Sequence, residues 1–173
     1  IYEVPLKMQQ QKLDEIVLQK TGMPIKSTPE LKPWKEFLAR MKNATESVRI
    51  GLVGKYVELP DAYKSINEAL FQAATYNDHK LDLKLIHSEK INKDNVEEML
   101  GSMDGIIIAP GFGQRGIEGK FIALKYAREH DVQTFGICLG MQCMVIEFAR
   151  DVLGYADANS TEMEVSTKHN VID

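Results

Sequence analysis

Apolar residues change their spacing along the chain, and the change predicts strands that alternate with helices. Four short apolar runs predict strands at residues 48–54, 81–87, 105–110 and 132–137. Apolar residues at helical intervals between and after these runs predict helices at residues 61–77, 93–100, 118–130 and 139–153. This alternation predicts an α/β fold, with a mostly parallel sheet and helices on both faces. Asp61 is expected to cap the first of these helices.

The segment before residue 48 has a different pattern, which predicts helices and a linker. Apolar residues from Leu6 to Val17 have a helical spacing that ends at Gly22, so one helix is expected there. Prolines and small polar residues at 23–33 are typical of a linker, and a short amphipathic helix is expected around 34–41. The chain is therefore expected to divide into three parts, 1–23, 24–47 and 48–173.

Composition and charge argue against nucleic-acid binding and membrane insertion, and they favour a reducing compartment. Acidic residues outnumber basic ones 25 to 21, for a net charge of −4, whereas nucleic-acid binding needs a concentrated basic face. The sequence has no apolar run of about 20 residues, the length of a membrane span. Cys138 and Cys143 lie too close together to link distant parts of the chain, which favours a reducing compartment such as the cytoplasm. The start at Ile1 rather than Met predicts a piece of a longer protein.

The turn Gly136-Ile-Cys138-Leu-Gly140 has the pattern of a nucleophile elbow. Two glycines flank the central residue of such a turn because larger side chains would crowd it. The predicted place of Cys138, at a helix N-terminus, favours the thiolate because the helix dipole attracts negative charge. The amide of Leu139 would be free to donate to an oxyanion. Cys143, on the following helix, is expected to be an inert packing residue.

The glycine-rich loop after the third predicted strand is a second candidate site. Gly111, Gly113 and Gly116 form a G-x-G-x-x-G pattern. A dinucleotide-binding fingerprint belongs on the first strand of its unit, and the spacing differs from that of a phosphate-binding P-loop. Two interpretations stay open, a connection without a ligand or a loop whose amides face an anion. Arg115 and Glu118, in the same loop, fit either a surface ion pair or ligand binding equally well.

Taken together, the motifs resemble the glutamine amidotransferase half of the CTP synthase family. The elbow is shared by all class I (triad-type) glutamine amidotransferases, whereas the first motif, which begins at Val53, and the segment Ala158–Glu162 make the resemblance specific to that family. The resemblance covers nearly the whole chain, and its first six residues look like the end of the family's synthetase domain. The matching segments are 53–56, 59–65, 111–120, 136–142 and 158–162.

The resemblance implies a two-site enzyme with this chain carrying most of the glutaminase site. Cys138 would attack the glutamine amide and form a thioester, with the amides of Gly111 and Leu139 as the oxyanion hole. Residues implied to hold glutamine are Leu139, Gly140, Met141, Gln142 and Glu162. Residues in stretches that the family associates with activation by GTP are Lys55, Tyr63, Arg115 and Glu118. Ammonia would pass to a synthetase domain where UTP, activated by Mg²⁺-ATP, becomes CTP, in dimers or tetramers. No metal or cofactor is expected on this chain itself.

The sequence departs from the family pattern in two places. The family loop has Pro-Gly-Gly-Phe-Gly, whereas here Ala109 and Pro110 precede Gly111, and the proline removes one amide donor. The catalytic histidine and glutamate of the family lie downstream of Asp173, and His169 matches a structural segment rather than the base. We therefore expect the 173-residue chain alone to hydrolyse little or no glutamine.

Two other interpretations remain open from the sequence. One is a different triad amidotransferase, such as those that feed carbamoyl phosphate or GMP synthesis; the linker and residues 53–56 argue against it. The other is a non-catalytic binding module that keeps the fold for assembly or regulation. A His-x-Glu motif after residue 173 in a parent sequence would argue against this module.

Overall fold

A computed structural model describes residues 1–27, 29–59 and 61–173 of the chain. Thr28, in the predicted linker, and Pro60, in the 59–65 motif, lie outside the described residues. The helices are α1 (Val4–Gln10), α2 (Leu13–Thr21), α3 (Lys32–Asn43), α4 (Lys64–Tyr76), α5 (Val96–Leu100), α6 (Ile117–Glu129) and α7 (Leu139–Asp151). The strands are β1 (Glu46–Gly54), β2 (His79–His87), β3 (Gly105–Ile108), β4 (Gln133–Gly136), β5 (Asn159–Ser160) and β6 (Asn170–Ile172).

The first four strands form one parallel sheet in the order β2-β1-β3-β4. This confirms the predicted α/β class. The register pairs Val53 with Ile108 and Ile108 with Gly136, so the carboxyl ends of β1, β3 and β4 meet at one edge. Ligands of open parallel sheets bind beyond this edge, where the elbow and the glycine-rich loop both emerge.

Helices cover the sheet on both faces, as predicted. On one face, α5, α6 and α7 bury a large core with strand residues such as Val53, Ile86 and Ile106. On the other face, α4 covers a smaller cluster around Leu52 and Tyr63. Adjacent residues of β1, Leu52 and Val53, thus enter different clusters because successive side chains of a strand point to opposite faces.

The single helix expected within residues 1–23 is instead two helices, so that prediction was wrong. Lys12 lies between α1 and α2 in the left-handed region, with φ of 54°. The reversal folds α1 back against α2 around an apolar cavity of about 530 Å³ whose lining includes Met8 and Leu13. Gly22 ends α2 with φ of 69°, as its position predicted. Within the described residues, no helix is long and apolar enough to cross a bilayer.

An aromatic cluster attaches the N-terminal segment to the sheet domain. The ring of Tyr2 stacks on Phe71 of α4 with 5.2 Å between centroids, and Phe37 of α3 lies 5.9 Å from Tyr2. Trp34 donates a hydrogen bond of 2.9 Å from Nε1 to the Tyr2 carbonyl. The Tyr2 hydroxyl also donates to the Glu68 carboxylate on α4. The predicted linker therefore ends in a packed helix rather than a free tether.

The predicted cap of α4 was also wrong. Residues 61–63 form a turn, and the helix begins at Lys64 after Tyr63, not after Asp61. The side chain of Tyr63 is buried under the end of β1, with only 3% of its surface exposed, which fixes the start of the helix. Asp61 stays exposed and pairs loosely with Lys64 at 3.6 Å.

Candidate active site

Cys138 occupies the turn between β4 and α7, at the edge where the parallel strands end. Its backbone has φ of 53° and ψ of −111°, a conformation that residues with a side chain rarely adopt. Such strain persists only where the surroundings impose it, and it is common at functional sites. The thiol is exposed to solvent.

The glycines on either side of Cys138 are sterically required. A Cβ atom at Gly136 would lie 2.5 Å from the backbone nitrogen of Met141. A Cβ atom at Gly140 would lie 2.0 Å from the carbonyl oxygen of Ile108. Both neighbours are backbone atoms of packed elements and cannot move aside. The first turn of α7 is therefore seated directly on the ends of β3 and β4, which forces the sharp turn at Cys138.

The two cysteines have opposite environments. Cys138 directly precedes the first turn of α7, which contains no acidic residue, and it is exposed to solvent. Cys143, one turn further along, is fully buried in the core. Burial raises the pKa of the Cys143 thiol to about 11. Of the two, only Cys138 is placed for nucleophilic chemistry.

The glycine-rich loop lies beside the elbow. A Cβ atom at Gly111 would lie 3.9 Å from the side chain of Leu139, the residue that follows Cys138. Further along the loop, Gly116 caps α6 with φ of 77°, and Gly119 packs so closely on Ser88 that a Cβ atom would stand 1.7 Å from its carbonyl oxygen. Gly119 is therefore required for the packing of α6 on Ser88.

The first turn of α7 carries the residues expected to hold glutamine. Leu139 and Gly140 are buried, whereas the side chain of Met141 is 46% exposed. The side-chain oxygen of Gln142 is buried and accepts no hydrogen bond within the described part of the chain. A buried acceptor without a partner is costly, which makes this oxygen exceptional among the described residues of the turn.

Glu162 lies in a turn that is tied to the glycine-rich loop. The amides of Met163 and Glu164 donate to the carbonyl of Ser160, at 3.1 and 2.9 Å. The Gln114 side chain donates to the Met163 carbonyl at 2.9 Å and so links the two segments. Glu162 itself is exposed and, within residues 1–27, 29–59 and 61–173, forms no ion pair. Its carboxylate is therefore free to meet an ammonium group.

Asp157 organises the base of the segment that carries Glu162. Its side chain accepts hydrogen bonds from the Lys168 amide at 3.0 Å and from His169 Nδ1 at 2.5 Å. The His169 ring stacks on Tyr155 at 4.5 Å, and Thr167 also donates to Asp157. The bond from His169 lowers the pKa of the Asp157 carboxyl to about 2.

We expect Asp157→Asn to loosen the 157–169 segment. The carboxylate favours the folded segment above its ordinary pKa of 3.8, and this contribution disappears as the pH falls toward about 2. At neutral pH the variant should show faster amide hydrogen exchange at residues 160–168. Asp151→Asn, which removes an exposed carboxylate outside this segment, is the control. Unchanged exchange in the Asp157 variant would contradict the prediction.

Three of the four residues expected near an activator lie around Tyr56. The ammonium of Lys55 lies 5.3 Å and the guanidinium of Arg115 5.5 Å from the centre of its ring. The Tyr63 hydroxyl accepts a hydrogen bond from the Tyr56 amide at 3.2 Å. Lys55 and Tyr63 are buried, whereas Arg115 is half exposed and pairs with Glu89. Only Arg115 of these three therefore presents its charged group at the surface.

Glu118, the fourth of those residues, lies apart from the other three. It lines a polar cavity of about 260 Å³ between α6, α7 and the β5 segment, together with Arg150 and Glu164. The structure thus places Arg115 and Glu118 in different surroundings, and it pairs Arg115 with Glu89 rather than with Glu118.

Each of the four histidines has other partners than Cys138. His79 and His130 bond to carbonyl oxygens of Asn77 and Tyr126, His87 bonds to the Glu89 amide, and His169 bonds to Asp157. The described residues therefore bring no histidine base to the thiol. They also contain no group of three or more His, Cys, Asp or Glu side chains that is suited to a metal ion.

Three contributors to the site were not predicted from the sequence. Gln114 joins the glycine-rich loop to the Glu162 turn, Asp157 orders that turn from below, and Lys120 donates to a carbonyl at the end of β3. The sequence contained one signal for Lys120, since it falls on the apolar side of its helix between Ile117 and Leu124. No sequence pattern marks Gln114 or Asp157. Their partners are far away in the sequence, and several of them are backbone atoms, which any residue type provides.

Comparison with known proteins gives concordant results. Residues 58–172 match the family model "Glutamine amidotransferase class-I". The whole chain is 66% identical to CTP synthase of Bacteroides fragilis and 63% identical to that of Porphyromonas gingivalis, covering 32% of each relative. The chain thus spans about a third of the length of these relatives. The glutaminase domain of Trypanosoma brucei CTPS, solved with bound acivicin, is 38% identical, with a TM-score of 0.66 over 72% of this chain and 49% of that one.

Proposed function

Because the chain belongs to the class I glutamine amidotransferase family, we propose that it forms most of the glutaminase site of a CTP synthase. The observation that carries this proposal is the strained, exposed Cys138 between two sterically required glycines at the start of α7. The similarity to CTP synthases over the full chain supports the choice among triad amidotransferases.

In the proposed reaction, the Cys138 thiolate attacks the amide carbon of glutamine. The carbonyl oxygen becomes an oxyanion, which accepts hydrogen bonds from the amides of Gly111 and Leu139. The nitrogen of the intermediate takes up a proton and leaves as neutral ammonia, and a glutamyl thioester remains on the sulfur. Water then hydrolyses the thioester to glutamate and restores the thiol. A histidine and a glutamate outside this chain would move the protons.

The glutamine would lie between the first turn of α7 and the Glu162 turn. The exposed Glu162 carboxylate suits the α-ammonium group of the substrate, and the unpaired Gln142 oxygen suits its amide N–H. Leu139, Gly140 and Met141 would form the wall beside the thiol. The bond from Gln114 to the Met163 carbonyl would hold the Glu162 turn against the glycine-rich loop.

The rest of the enzyme is proposed from the relatives. Ammonia would reach a synthetase domain outside this chain, where UTP activated by Mg²⁺-ATP is aminated to CTP. Exposed Arg115 and the Tyr56 ring would contact GTP. Lys55 and Tyr63 would support the Tyr56 ring from its buried side, and Glu118 would act from the separate cavity that it lines. We place this enzyme in the cytoplasm, as a dimer or tetramer; the two free cysteines fit a reducing compartment.

The test uses a chimeric enzyme, in which this chain replaces the matching third of the Bacteroides fragilis CTP synthase. The chimera is expected to form CTP from UTP and ATP with either glutamine or ammonia as the nitrogen donor. Acivicin, which the Trypanosoma brucei domain binds, should block the reaction with glutamine and spare the reaction with ammonia. The isolated 173-residue chain should release little or no ammonia from glutamine.

Two results would contradict the proposal. A chimera that uses ammonia but not glutamine would mean that this chain lacks glutaminase chemistry and serves as a structural module. Glutamine hydrolysis by the isolated chain at the rate of the chimera would mean that the base is among its own residues.

A further inference from the structure

The loop Ala109–Gly113, here called the oxyanion loop, has few bonds of its own. Pro110 has no amide hydrogen, and the amides of Gly111, Phe112 and Gly113 donate to no other backbone group among the described residues. The Ala109 amide, at the start of the loop, still bonds to the sheet and donates to the Val53 carbonyl oxygen at 2.9 Å. The loop conformation must therefore be fixed mainly through its carbonyl groups and its packing.

Lys120 holds the first carbonyl of the oxyanion loop. Its side chain runs from α6 toward the end of β3 and is only 1% exposed. The ammonium donates a hydrogen bond of 2.7 Å to the carbonyl oxygen of Ala109. Burial lowers the pKa of Lys120, and the nearby ammonium of Lys55 lowers it further. The two lysines thus approach the same small region from different elements.

Lys55 holds the other end of the loop. It follows β1, is 5% exposed, and donates from its ammonium to the carbonyl oxygen of Phe112. Its Cε atom would lie 3.2 Å from a Cβ atom at Gly111, so the lysine side chain packs against the loop glycine itself. The residues that receive the two bonds, Ala109 and Phe112, enclose Pro110 and Gly111.

Neither lysine is neutralised by a carboxylate among the residues that the structure describes, although Lys55 also lies over the Tyr56 ring. A buried charge is costly unless it is paired with an opposite charge or is well hydrogen-bonded. In the described part of the chain, neither Lys55 nor Lys120 forms an ion pair, and the recorded hydrogen bond of each goes to the oxyanion loop. Both ammonium groups are buried despite the cost of desolvation, and both donate to the same loop. This indicates that the geometry of the loop matters for function.

We propose that Lys55 and Lys120 are positioning residues that brace the oxyanion loop and aim the Gly111 amide at the oxyanion. This inference rests on the proposed glutaminase function and deepens it. The two carbonyl bonds leave the loop little freedom to rotate the peptide between them, because both of its ends are fixed. The loop is thereby preorganised, so that no binding energy is spent on ordering it during the reaction.

The test compares Lys55→Met and Lys120→Met with Lys125→Met in the chimeric enzyme. Methionine keeps the length and removes the charge, and Lys125 is an exposed lysine of the same helix as Lys120. A misplacement of about 1 Å can lower a rate by about 100-fold. We therefore expect kcat with glutamine to fall by about that factor at positions 55 and 120, with KM changed only a few-fold and the Lys125 variant unchanged.

Two further measurements separate positioning from a loss of structure. CTP formation from ammonia should stay within a few-fold of the unsubstituted chimera, because the synthetase site is untouched. Alkylation of Cys138 by iodoacetamide should keep its rate, because that displacement forms no oxyanion; the rates are compared at alkaline pH, where the loss of the nearby Lys120 charge does not change the thiolate population. A parallel loss of alkylation or of ammonia-dependent activity would overturn the inference, as would full glutamine activity in both variants. An unsubstituted chimera without glutamine activity would instead overturn the proposed function, and this inference with it.

Discussion

Replacing Cys138 by alanine in the chimeric enzyme is expected to lower kcat for glutamine-dependent CTP formation by at least about 10⁴-fold, as the loss of a catalytic nucleophile does elsewhere. The reaction with ammonia should persist, because ammonia needs no thioester. Alanine removes the attacking sulfur. The backbone of the elbow should keep its shape, because Gly136 and Gly140 are unchanged. The measurement is the ratio of the two CTP-forming rates at saturating substrates.

The control for this variant is Cys143→Ala. Cys143 is buried in the core below α7, so its loss leaves a small cavity and no chemical defect. A modest fall of about 1 kcal/mol in the free energy of unfolding is expected, with glutamine activity retained. Equal losses of glutamine activity in the two variants would contradict the assignment of the nucleophile to Cys138.

Gly140→Ala should have the second large effect, on both stability and activity. The new methyl group would stand 2.0 Å from the carbonyl oxygen of Ile108, and neither α7 nor β3 is free to retreat. We expect a loss of about 3 kcal/mol or more in the free energy of unfolding, the upper range for an overpacked core. Displacement of α7 should also move Leu139, so glutamine activity should fall further than ammonia-dependent activity.

Gly105→Ala provides the matched control in the neighbouring strand. There the nearest atom to the new methyl would be the Cδ1 methyl of Ile50 at 3.2 Å, which a flexible side chain can move aside. Thermal unfolding of the two variants should therefore differ clearly, with Gly105→Ala close to the parent. Similar melting temperatures for both would contradict the close packing of α7 on β3.

The alternation of strands and helices after residue 48 was predictable because each element has a strong periodicity. In the run Ile106–Ile108, Ile106 and Ile108 are buried on one face and Ile107 is half-buried on the other, and continuous apolar sequence is what a central parallel strand requires. The predicted extent of β2 was nearly right, since alternate residues such as Leu81 and Leu83 face the core of the sheet. Local pattern and tertiary packing agree in this part of the chain.

Predictions failed where distant contacts decide the local conformation. The chain reversal at Lys12 depends on the packing of α1 against α2. Neither Lys12 nor its neighbours in sequence are residue types that predict such a reversal. The start of α4 follows from the burial of Tyr63, which overrides the capping preference of Asp61. The short pair β5 and β6 joins Asn159 to Asn170 through a segment without apolar periodicity, so no strand was predicted there.

The candidate site was partly predictable for a similar reason. Glycine at 136 and 140 records a steric demand that is local in sequence, so the elbow around Cys138 stood out. The burial of Lys55 and Lys120 did not, because a lysine in sequence favours the surface and only the folded loop supplies the carbonyls that hold it inside. The assignments of residues to the binding of glutamine and of GTP stay predictions.

The stacking of Tyr2 on Phe71 stiffens the junction between the N-terminal segment and the sheet domain. In the proposed enzyme this stiffness would affect how much of the nitrogen released from glutamine reaches the product. In the proposed enzyme, ammonia must travel between two catalytic centres before it escapes and is protonated to unreactive ammonium. A hinge that swung freely would open that passage to solvent and waste glutamine. The stacked aromatic rings hold the N-terminal segment and the sheet domain at one angle, and in the proposed enzyme the yield of product per glutamine would depend on that angle.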